Sequence, residues 1–416
     1  MINRVVITGV GLVTPVGIGK KEFWKSLIQG NSGISKISYF DTSEYSSKIA
    51  AEVKDFDYTN YISPKEANRM DKSTQFSVVA TMLALEDSKL KITEEDPYSM
   101  GVIIGSGIGG IGAFEKQYKI LLEKGPNRVS PFFIPMMISN ISAGEIAIKI
   151  EAKGPNMVIN TACASSAHAI GIAFKILQKG DTQIIISGGT EAAVTPMSLA
   201  GFCKMRALSI QNDNPAQASR PFDKKRDGFV MAEGSGILIL ETLQHAKKRN
   251  ADIYAEILGF GMTADAYHVT APSPEGEGAS QAMKIALEDA KIKPTQIDYI
   301  NAHGTSTPLN DKLETLSIKN VFGKHAYNLK ISSNKSMTGH MLGAAGGAEV
   351  IATALTLKED IIPPTINYKY PDPECDLDYV PNKSERKLVK YAMSNSFGFG
   401  GHNGVIILSK YKENIP

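Results

Sequence analysis

The stretch Asn160-Thr161-Ala162-Cys163-Ala164-Ser165-Ser166-Ala167-His168-Ala169 contains a cysteine between two differently patterned segments. Before it, Met157-Val158-Ile159 is apolar and partly β-branched, which is typical of the end of a buried strand. After it, apolar residues recur at helical spacing until Gly180. The sequence therefore predicts that Cys163 lies where a strand turns into a helix.

The start of a helix favours a negative charge, because its first N–H groups are unpaired and the positive end of the helix dipole lies there. We therefore expect the pKa of Cys163 to fall about one unit below the ordinary value of ~8.5. The thiol would then be a usable nucleophile near neutral pH. The alternative is a small buried structural thiol, and the small residues around this cysteine leave both interpretations open.

Composition limits the classes of protein to consider. A chain of 416 residues exceeds what one core usually supports, so we expect two domains or a duplicated one. The net charge of +2 argues against a general nucleic-acid-binding surface. Cys163, Cys203 and Cys375 form no close pair, which argues against a disulfide framework or a cysteine zinc site. The early first strand and the lack of a long apolar run predict a cytoplasmic protein.

Strand-like and helix-like segments alternate along the chain. Strands are predicted at residues 5–11, 101–107, 183–189, 236–241, 253–261, 297–301, 330–333 and 392–398, and helices at 20–30, 72–88, 113–124, 244–249 and 342–357. The strand at 330–333 and its following helix correspond to the strand and helix around Cys163. This pattern predicts two similar α/β halves, residues 1–250 and 251–416, each with a mainly parallel sheet covered by helices.

The segment Gly107-Ile108-Gly109-Gly110-Ile111-Gly112 matches the dinucleotide-binding pattern GxGxxG. That fold also needs a second strand carrying an acid about 20 residues further on. Here a helix-like segment leads instead into Gly125-Pro126. We therefore expect these glycines to permit a tight turn and close packing.

Candidate catalytic groups follow two strands of the second half. His303 follows the strand at 297–301, and Lys335 and His340 follow the strand at 330–333. In open α/β sheets, ligands bind at the carboxyl ends of strands. Two histidines and a lysine at such ends, opposite a cysteine at a helix start, indicate a catalytic site. The glycine turn around Phe399 could bring a backbone N–H to the same place, although a plain turn explains its glycines equally well.

Four motifs occur together in order along the chain: Thr161-Ala162-Cys163-Ala164-Ser165-Ser166, Asn301-Ala302-His303-Gly304-Thr305-Ser306-Thr307, Lys335-Ser336-Met337-Thr338-Gly339-His340 and Gly398-Phe399-Gly400-Gly401. With them the chain resembles the β-ketoacyl-acyl-carrier-protein (ACP) synthases, condensing enzymes of the thiolase superfamily, and within them the synthase II group. The resemblance covers essentially the entire chain. It implies a thiolase-like duplicated five-layer αβαβα fold, a homodimer and an active site reached by a phosphopantetheine arm.

The resemblance implies acyl transfer followed by decarboxylative condensation. Cys163 would take the acyl group as a thioester, with the carbonyl oxygen held by the N–H groups of Cys163 and Phe399. His303 and His340 would stabilise the enolate formed when malonyl-ACP loses carbon dioxide. Lys335 would give electrostatic support, paired with Glu349. No cofactor and no required metal are implied.

Further residues receive roles from the same resemblance. The resemblance does not decide whether a monovalent cation binds near Asn301 and Ser394. Acyl-pocket positions are Ile108, Phe202 and, from a partner subunit, Phe133; pantetheine contacts are Thr270, Thr305 and Thr307; basic positions for docking the acidic ACP are Lys65, Arg69, Arg128 and Arg206. Asn68 replaces a base often found in that patch, so the patch could be weaker here.

Other functions fit less well. A degradative thiolase would need a second cysteine in a C-terminal turn, where this chain has Phe399. A starter-unit condensing enzyme is expected to have asparagine in place of His340, and a cysteine hydrolase would leave one histidine and Lys335 unexplained. A non-catalytic, chain-length-factor-like subunit is disfavoured by Cys163. A polyketide ketosynthase remains the main alternative, because pocket shape rather than motif separates it.

Overall fold

The computed structural model describes residues 2–412. Its strands are β1 (Val5–Thr14), β2 (Gly17–Ile18), β3 (Ser35–Lys36), β4 (Ile49–Ala50), β5 (Met100–Gly105), β6 (Asn156–Ile159), β7 (Ile184–Glu191), β8 (Gly234–Thr242), β9 (Ala255–Ala264), β10 (Tyr299–Asn301), β11 (Lys330–Ser332), β12 (Ile361–Ile362), β13 (Glu385–Arg386), β14 (Tyr391–Gly398) and β15 (His402–Ser409).

The α-helices are α1 (Lys20–Gln29), α2 (Pro64–Ala67), α3 (Lys72–Ser88), α4 (Ile111–Lys124), α5 (Phe133–Met137), α6 (Ile141–Ile150), α7 (Ser165–Lys179), α8 (Pro196–Lys204), α9 (Leu243–Lys248), α10 (Glu277–Ala290), α11 (Pro308–Phe322), α12 (Lys335–Thr338) and α13 (Ala345–Glu359). Within residues 2–412, no helix is long and apolar enough to cross a membrane.

The large sheet contains the same strand order twice. Its path runs β11-β10-β14-β15-β9-β1-β8-β7-β5-β6. Starting from β1, the neighbouring strands are β8, β7, β5 and β6 in turn; starting from β9, they are β15, β14, β10 and β11. If the five strands of each set are numbered along the chain, both sets therefore have the order first, fifth, fourth, second, third. The two sets meet where β1 and β9 pair antiparallel, from Val5 with Ile257 to Ile7 with Ala255. The architecture is therefore repeated, while the predicted division at residue 250 stays a prediction.

Each set of strands is mainly parallel, as predicted, but contains one reversed strand. β5 is parallel to β6 and β7, and β10 is parallel to β11 and β14. However, β8 is antiparallel to β7 and β1, and β15 is antiparallel to β14 and β9. Within each set, four of the five strands run in the same direction and one, β8 or β15, runs opposite. The prediction of mainly parallel sheets is therefore confirmed, with one reversed strand in each set. The tight turn between β14 and β15 permits only an antiparallel pair, since a parallel pair needs a long crossover connection.

Helices cover the sheet in layers. α7 and α13 pack against each other between the two strand sets. α3 and α6 cover the outer face of the first set, and α10 and α11 cover that of the second. α13 buries every side chain from Ala345 to Leu357, as expected of a central helix that is largely apolar around its circumference. The order of layers is αβαβα.

Candidate active site

Cys163 lies in a single 3₁₀ turn, Ala162–Ala164, between β6 and α7. Ala162 adopts a φ of 50°, which is unfavourable for a residue with a side chain. Ser165 stabilises the turn, because its hydroxyl accepts the Thr161 N–H at 2.9 Å and donates to the Ala162 carbonyl at 2.6 Å. The predicted position of the cysteine between strand and helix is confirmed.

The prediction of a lowered pKa for Cys163 is wrong. The side chain lies in an apolar cluster with Phe229 and Leu342 and is 8% exposed. Burial raises the pKa of the thiol to about 12, although the nearby Lys335 charge and the Phe399 N–H act in the opposite direction. Loss of solvation therefore outweighs the nearby positive charge and the backbone donor. The resting thiol is neutral and has to lose its proton as the sulfur reacts.

His303 and His340 face each other, with ring centroids 5.4 Å apart. Burial and the Lys335 charge hold the pKa of both rings well below the ordinary value, so both are neutral at pH 7. The Nδ1 atom of His303 lies 3.4 Å from Lys335 Nζ. An ammonium group only donates, so this Nδ1 accepts and the ring proton is on Nε2. His303 is therefore a hydrogen-bond donor.

Lys335 is buried behind His303 and forms an ion pair with Glu349, which confirms the predicted pairing. Two further carboxylates, for which the sequence predicted no role, hold the loops of the site. One is Glu314, which accepts the N–H groups of His303 at 2.8 Å and Gly304 at 2.7 Å. Burial raises the pKa of Glu314 to about 7. The other is Glu191 at the end of β7. In the sequence, an acidic residue at the carboxyl end of a predicted strand was the feature that could have indicated its role.

The glycine turn between β14 and β15 lies against the cysteine turn. A Cβ atom on Gly398 would lie 2.7 Å from Thr161 O and 3.1 Å from Cys163 N, so only glycine permits this approach. The Phe399 N–H is near enough to the Cys163 sulfur to oppose the rise in the pKa of the thiol. The alternative interpretation, that these glycines only form a turn, therefore does not explain the arrangement. The turn also places a backbone donor next to the thiol.

A cavity of about 500 Å³ opens beside these groups. Its walls include most residues predicted to act in catalysis or substrate binding: Cys163, His303, His340, Phe399, Ile108, Phe202, Thr270, Thr305 and Thr307. Thr305 and Thr307 are hydrogen-bonded to each other at 2.9 Å. Phe133 does not line the cavity of its own chain, so its expected contribution from a partner subunit stays a prediction.

The four predicted docking residues are Lys65, Arg69, Arg128 and Arg206, and all are exposed. Arg206 is at the cavity wall, and the Arg69 guanidinium lies 4.4 Å from the centre of the Phe132 ring. None of the four forms a salt bridge within residues 2–412. They are accessible to an acidic partner, and their docking role stays a prediction.

Several buried oxygens near Lys335 have no hydrogen-bond partner within the described chain: Asn301 Oδ1, Glu349 Oε2, Ser394 Oγ and Ser396 Oγ. Asn301 is paired with Ser394 across β10 and β14, and its Nδ2 donates to the Glu349 carbonyl at 3.1 Å. Oxygen donors of this kind suit a hard cation. No group of three His, Cys, Asp or Glu residues in the described part could hold a metal ion.

Comparisons with known proteins agree with this geometry. Residues 2–246 match the N-terminal domain of the β-ketoacyl synthases, and residues 254–369 match their C-terminal domain. The chain is 54% identical over 410 residues to 3-oxoacyl-[acyl-carrier-protein] synthase 2 of Synechocystis sp. and covers 99% of both chains. Identity to the protein of the same name from Staphylococcus aureus is 53% over 410 residues, again covering 99% of each.

Solved structures of ketosynthases share the fold of this chain. The ketosynthase of a type II polyketide synthase, in complex with its acyl-carrier protein, superimposes with a TM-score of 0.92 at 36% identity, over 99% of this chain and 100% of that one. A β-ketoacyl synthase from Burkholderia phymatum gives 0.91 at 34% identity with the same coverage. The predicted thiolase-like five-layer fold is confirmed. The chain belongs to the β-ketoacyl synthase family.

Proposed function

We propose that the chain condenses an acyl group, carried on Cys163, with malonyl-ACP to give 3-oxoacyl-ACP, free ACP and CO₂, as in type II fatty-acid elongation. The observation that carries this function is one cavity lined by a thiol and by two neutral imidazoles. Relatives named 3-oxoacyl-ACP synthase 2 share 53–54% identity, against 36% for the polyketide ketosynthase, so elongation is preferred over polyketide synthesis.

In acyl transfer, the Cys163 sulfur attacks the thioester carbonyl of acyl-ACP. A bond forms between sulfur and the acyl carbon, the bond to the pantetheine sulfur breaks, and the proton of the Cys163 thiol ends on the departing ACP thiol. The N–H groups of Cys163 and Phe399 stabilise the negative carbonyl oxygen of the intermediate. One such donor contributes ~3 kcal/mol to the transition state.

In condensation, malonyl-ACP loses CO₂ and the bond electrons remain as an enolate. His303 donates its Nε2 hydrogen to the enolate oxygen, and His340 donates beside it, since both rings are uncharged donors at neutral pH. The enolate carbon attacks the acyl carbon, the new C–C bond forms, and the bond to the Cys163 sulfur breaks. The sulfur then takes up a proton. Lys335 acts as electrostatic support rather than as a proton donor.

The proposed partner is an acidic ACP, which Lys65, Arg69, Arg128 and Arg206 would attract. A homodimer is supported by the exposed apolar face of α4, on which Tyr118 is 50% and Leu122 is 69% exposed, and by the unpaired edge of β6. Phe133 would then reach the cavity of the partner subunit. We also infer a cytoplasmic location.

A monovalent cation would be held by the unpaired oxygens of Asn301, Glu349, Ser394 and Ser396. When bound, it supplies positive charge that balances the buried Glu349 carboxylate. That carboxylate remains the partner of Lys335 in either case. The donors are amide, hydroxyl and carboxylate oxygens, which suit a hard cation.

The test is to incubate the protein with acyl-ACPs of several chain lengths and malonyl-ACP and to identify the products by mass spectrometry. Extended 3-oxoacyl-ACP and CO₂ are expected, and an acyl adduct should be found on Cys163. A protein that decarboxylates malonyl-ACP but forms no new C–C bond with any acyl-ACP would contradict the proposal and would favour a chain-length-factor-like subunit.

A further inference from the structure

The turn formed by Gly107, Ile108 and Gly109 surrounds the carboxylate of Glu191. The Gly107 N–H donates to Oε2 at 2.8 Å and the Ile108 N–H donates to Oε1 at 3.1 Å. The Gly109 N–H also acts to lower the pKa of this carboxyl. Successive N–H groups that converge on one anion form a backbone nest. The glycine pattern that resembles a phosphate-binding loop therefore binds an anion of its own chain.

The same carboxylate also holds the second half of the chain. Gly343, in the 3₁₀ turn Leu342–Ala344 before α13, donates its N–H to Glu191 Oε2 at 3.0 Å. A Cβ atom on Gly343 would lie 2.2 Å from Gly107 N and 2.6 Å from Glu191 Oε2. The two turns therefore meet at Glu191 without space for a side chain.

Burial raises the pKa of the Glu191 carboxyl to about 7, and the backbone N–H groups around it act in the opposite direction. The Glu191 side chain is fully buried and forms no salt bridge within residues 2–412, so backbone N–H groups and the Ser106 hydroxyl are its partners. A buried charge depends strongly on such donors, because no water replaces them. Removing the charge or the acceptor oxygens would release both turns.

Both turns form part of the cavity wall. Gly107, Ile108 and Leu342 line the cavity, whereas Glu191 and Gly343 do not. The carboxylate is thus behind the wall and draws the turns away from the space that an acyl chain would occupy. The geometry points to Glu191 as a positioning residue that sets the acyl chain length this enzyme accepts. This role rests on the proposed function, since it requires an acyl group in the cavity.

Glu191→Gln tests the role. An amide has one acceptor oxygen, and its NH₂ group would face N–H donors, so the 107–109 turn should lose bonds and move into the cavity. We expect kcat/KM for the longest acyl-ACP to fall about tenfold or more relative to the shortest. Decarboxylation of malonyl-ACP, which does not use the depth of the cavity, should change less than about twofold.

Two comparisons separate this role from general damage. Glu52 is a matched control, because it is also buried and accepts the N–H groups of Ser38 at 2.8 Å and Tyr39 at 3.2 Å outside the cavity wall. Glu52→Gln should keep the chain-length profile. Adding Ile108→Ala to Glu191→Gln should restore kcat/KM for the long acyl-ACPs, because the smaller side chain leaves more space in the cavity.

A uniform loss at all lengths, an unchanged profile, or a double variant that restores nothing would each overturn the role of Glu191. If Glu191→Gln does not fold, Glu191→Asp takes its place, with a smaller loss expected in the same direction. The wild-type protein is measured first. If it forms no 3-oxoacyl-ACP, the proposed function fails and this role fails with it; if it condenses normally and the variants keep its profile, only this role fails.

Discussion

The two halves of the sheet share a central element that carries a thiol in one half and no side chain at the equivalent position of the other. Each half has a 3₁₀ turn followed by a helix of 15 residues, Ala162–Ala164 with α7 and Leu342–Ala344 with α13. Even the unfavourable φ at the first turn position is repeated, at 50° for Ala162 and 47° for Leu342. The second turn position is Cys163 in one half and Gly343 in the other. The backbone is repeated, and the side chain is not.

The space around these two positions explains the difference. Cys163 faces the cavity, whereas the equivalent space at Gly343 is filled by the Gly107 turn and Glu191. The second half instead carries its polar groups in loops that follow an element, with His303 after β10 and His340 after α12. Under the proposed function, one half would hold the acyl electrophile and the other would stabilise the carbanion that attacks it.

The largest expected effect distinguishes the holding of the acyl group from the stabilisation of the carbanion. Cys163→Ala should lower condensation by more than about 10⁴-fold, because the acyl acceptor is lost, while malonyl-ACP decarboxylation continues. His303→Ala should depress decarboxylation itself. Product and CO₂ assays on both variants check this division. Residual condensation in Cys163→Ala equal to that of the wild type would contradict it.

A second change sharpens the role of the first half in holding the acyl chain. Ile108→Phe should suppress condensation of medium and long acyl chains while sparing the shortest, because overfilling a packed site costs ~1–3 kcal/mol. This corresponds to about tenfold to a hundredfold in rate for the excluded chains. The measurement is kcat/KM across a series of acyl-ACP lengths. A uniform loss, or none at the long end, would show that Ile108 is not the floor of the pocket.

A third change tests why the two turns differ. Gly343→Ala should destabilise the protein by ~1–3 kcal/mol, because the added Cβ would overlap the Gly107 backbone. Gly201→Ala is the matched control: it lies in helix α8 with no atom within 4 Å of an added Cβ. It should be neutral or slightly stabilising. Denaturant midpoints of the two variants give the comparison, and equal midpoints would refute the steric explanation.

The smallest expected effect concerns docking on the outside of the first half. Arg206→Glu or Lys65→Glu should raise KM for acyl-ACP several-fold and make it less sensitive to salt, because exposed charges are screened over about 8–10 Å. Small acyl-thioester mimics, which need no carrier, should react as with the wild type. An equal loss with both substrate types would mean that these residues are not docking positions.

Local patterns predicted much of the fold and the site. The helix at 72–88 coincides with α3, and the positions of Cys163, His303 and His340 at element ends were correct, because periodicity and strand ends are visible in short stretches. The one reversed strand in each half was not predictable in the same way. Its direction depends on the path of long connections such as the one between β7 and β8, which carries no clear periodic signal.

The pKa of Cys163 and the role of Glu191 depended on contacts that are distant in sequence. Phe229 and Leu342 bury the thiol, and Gly107 and Gly343 bind the carboxylate from positions 84 and 152 residues away. A helix start that is visible in the sequence predicts that the helix lowers the pKa of the thiol. It does not show how deeply the thiol is buried, and burial raises that pKa. The homodimer, the docking patch, the cation and the division at residue 250 remain predictions.

The pairing of β1 with β8 and β9 has a consequence for synthesis on the ribosome. β1 is made first, is fully buried in the finished protein, and has its long partners only at residues 234–242 and 255–264. At about 5–20 residues per second, roughly 10–50 s pass before those strands exist. During that time the apolar strand lacks both of its long partner strands, so newly made chains should need protection from aggregation until both halves have been translated.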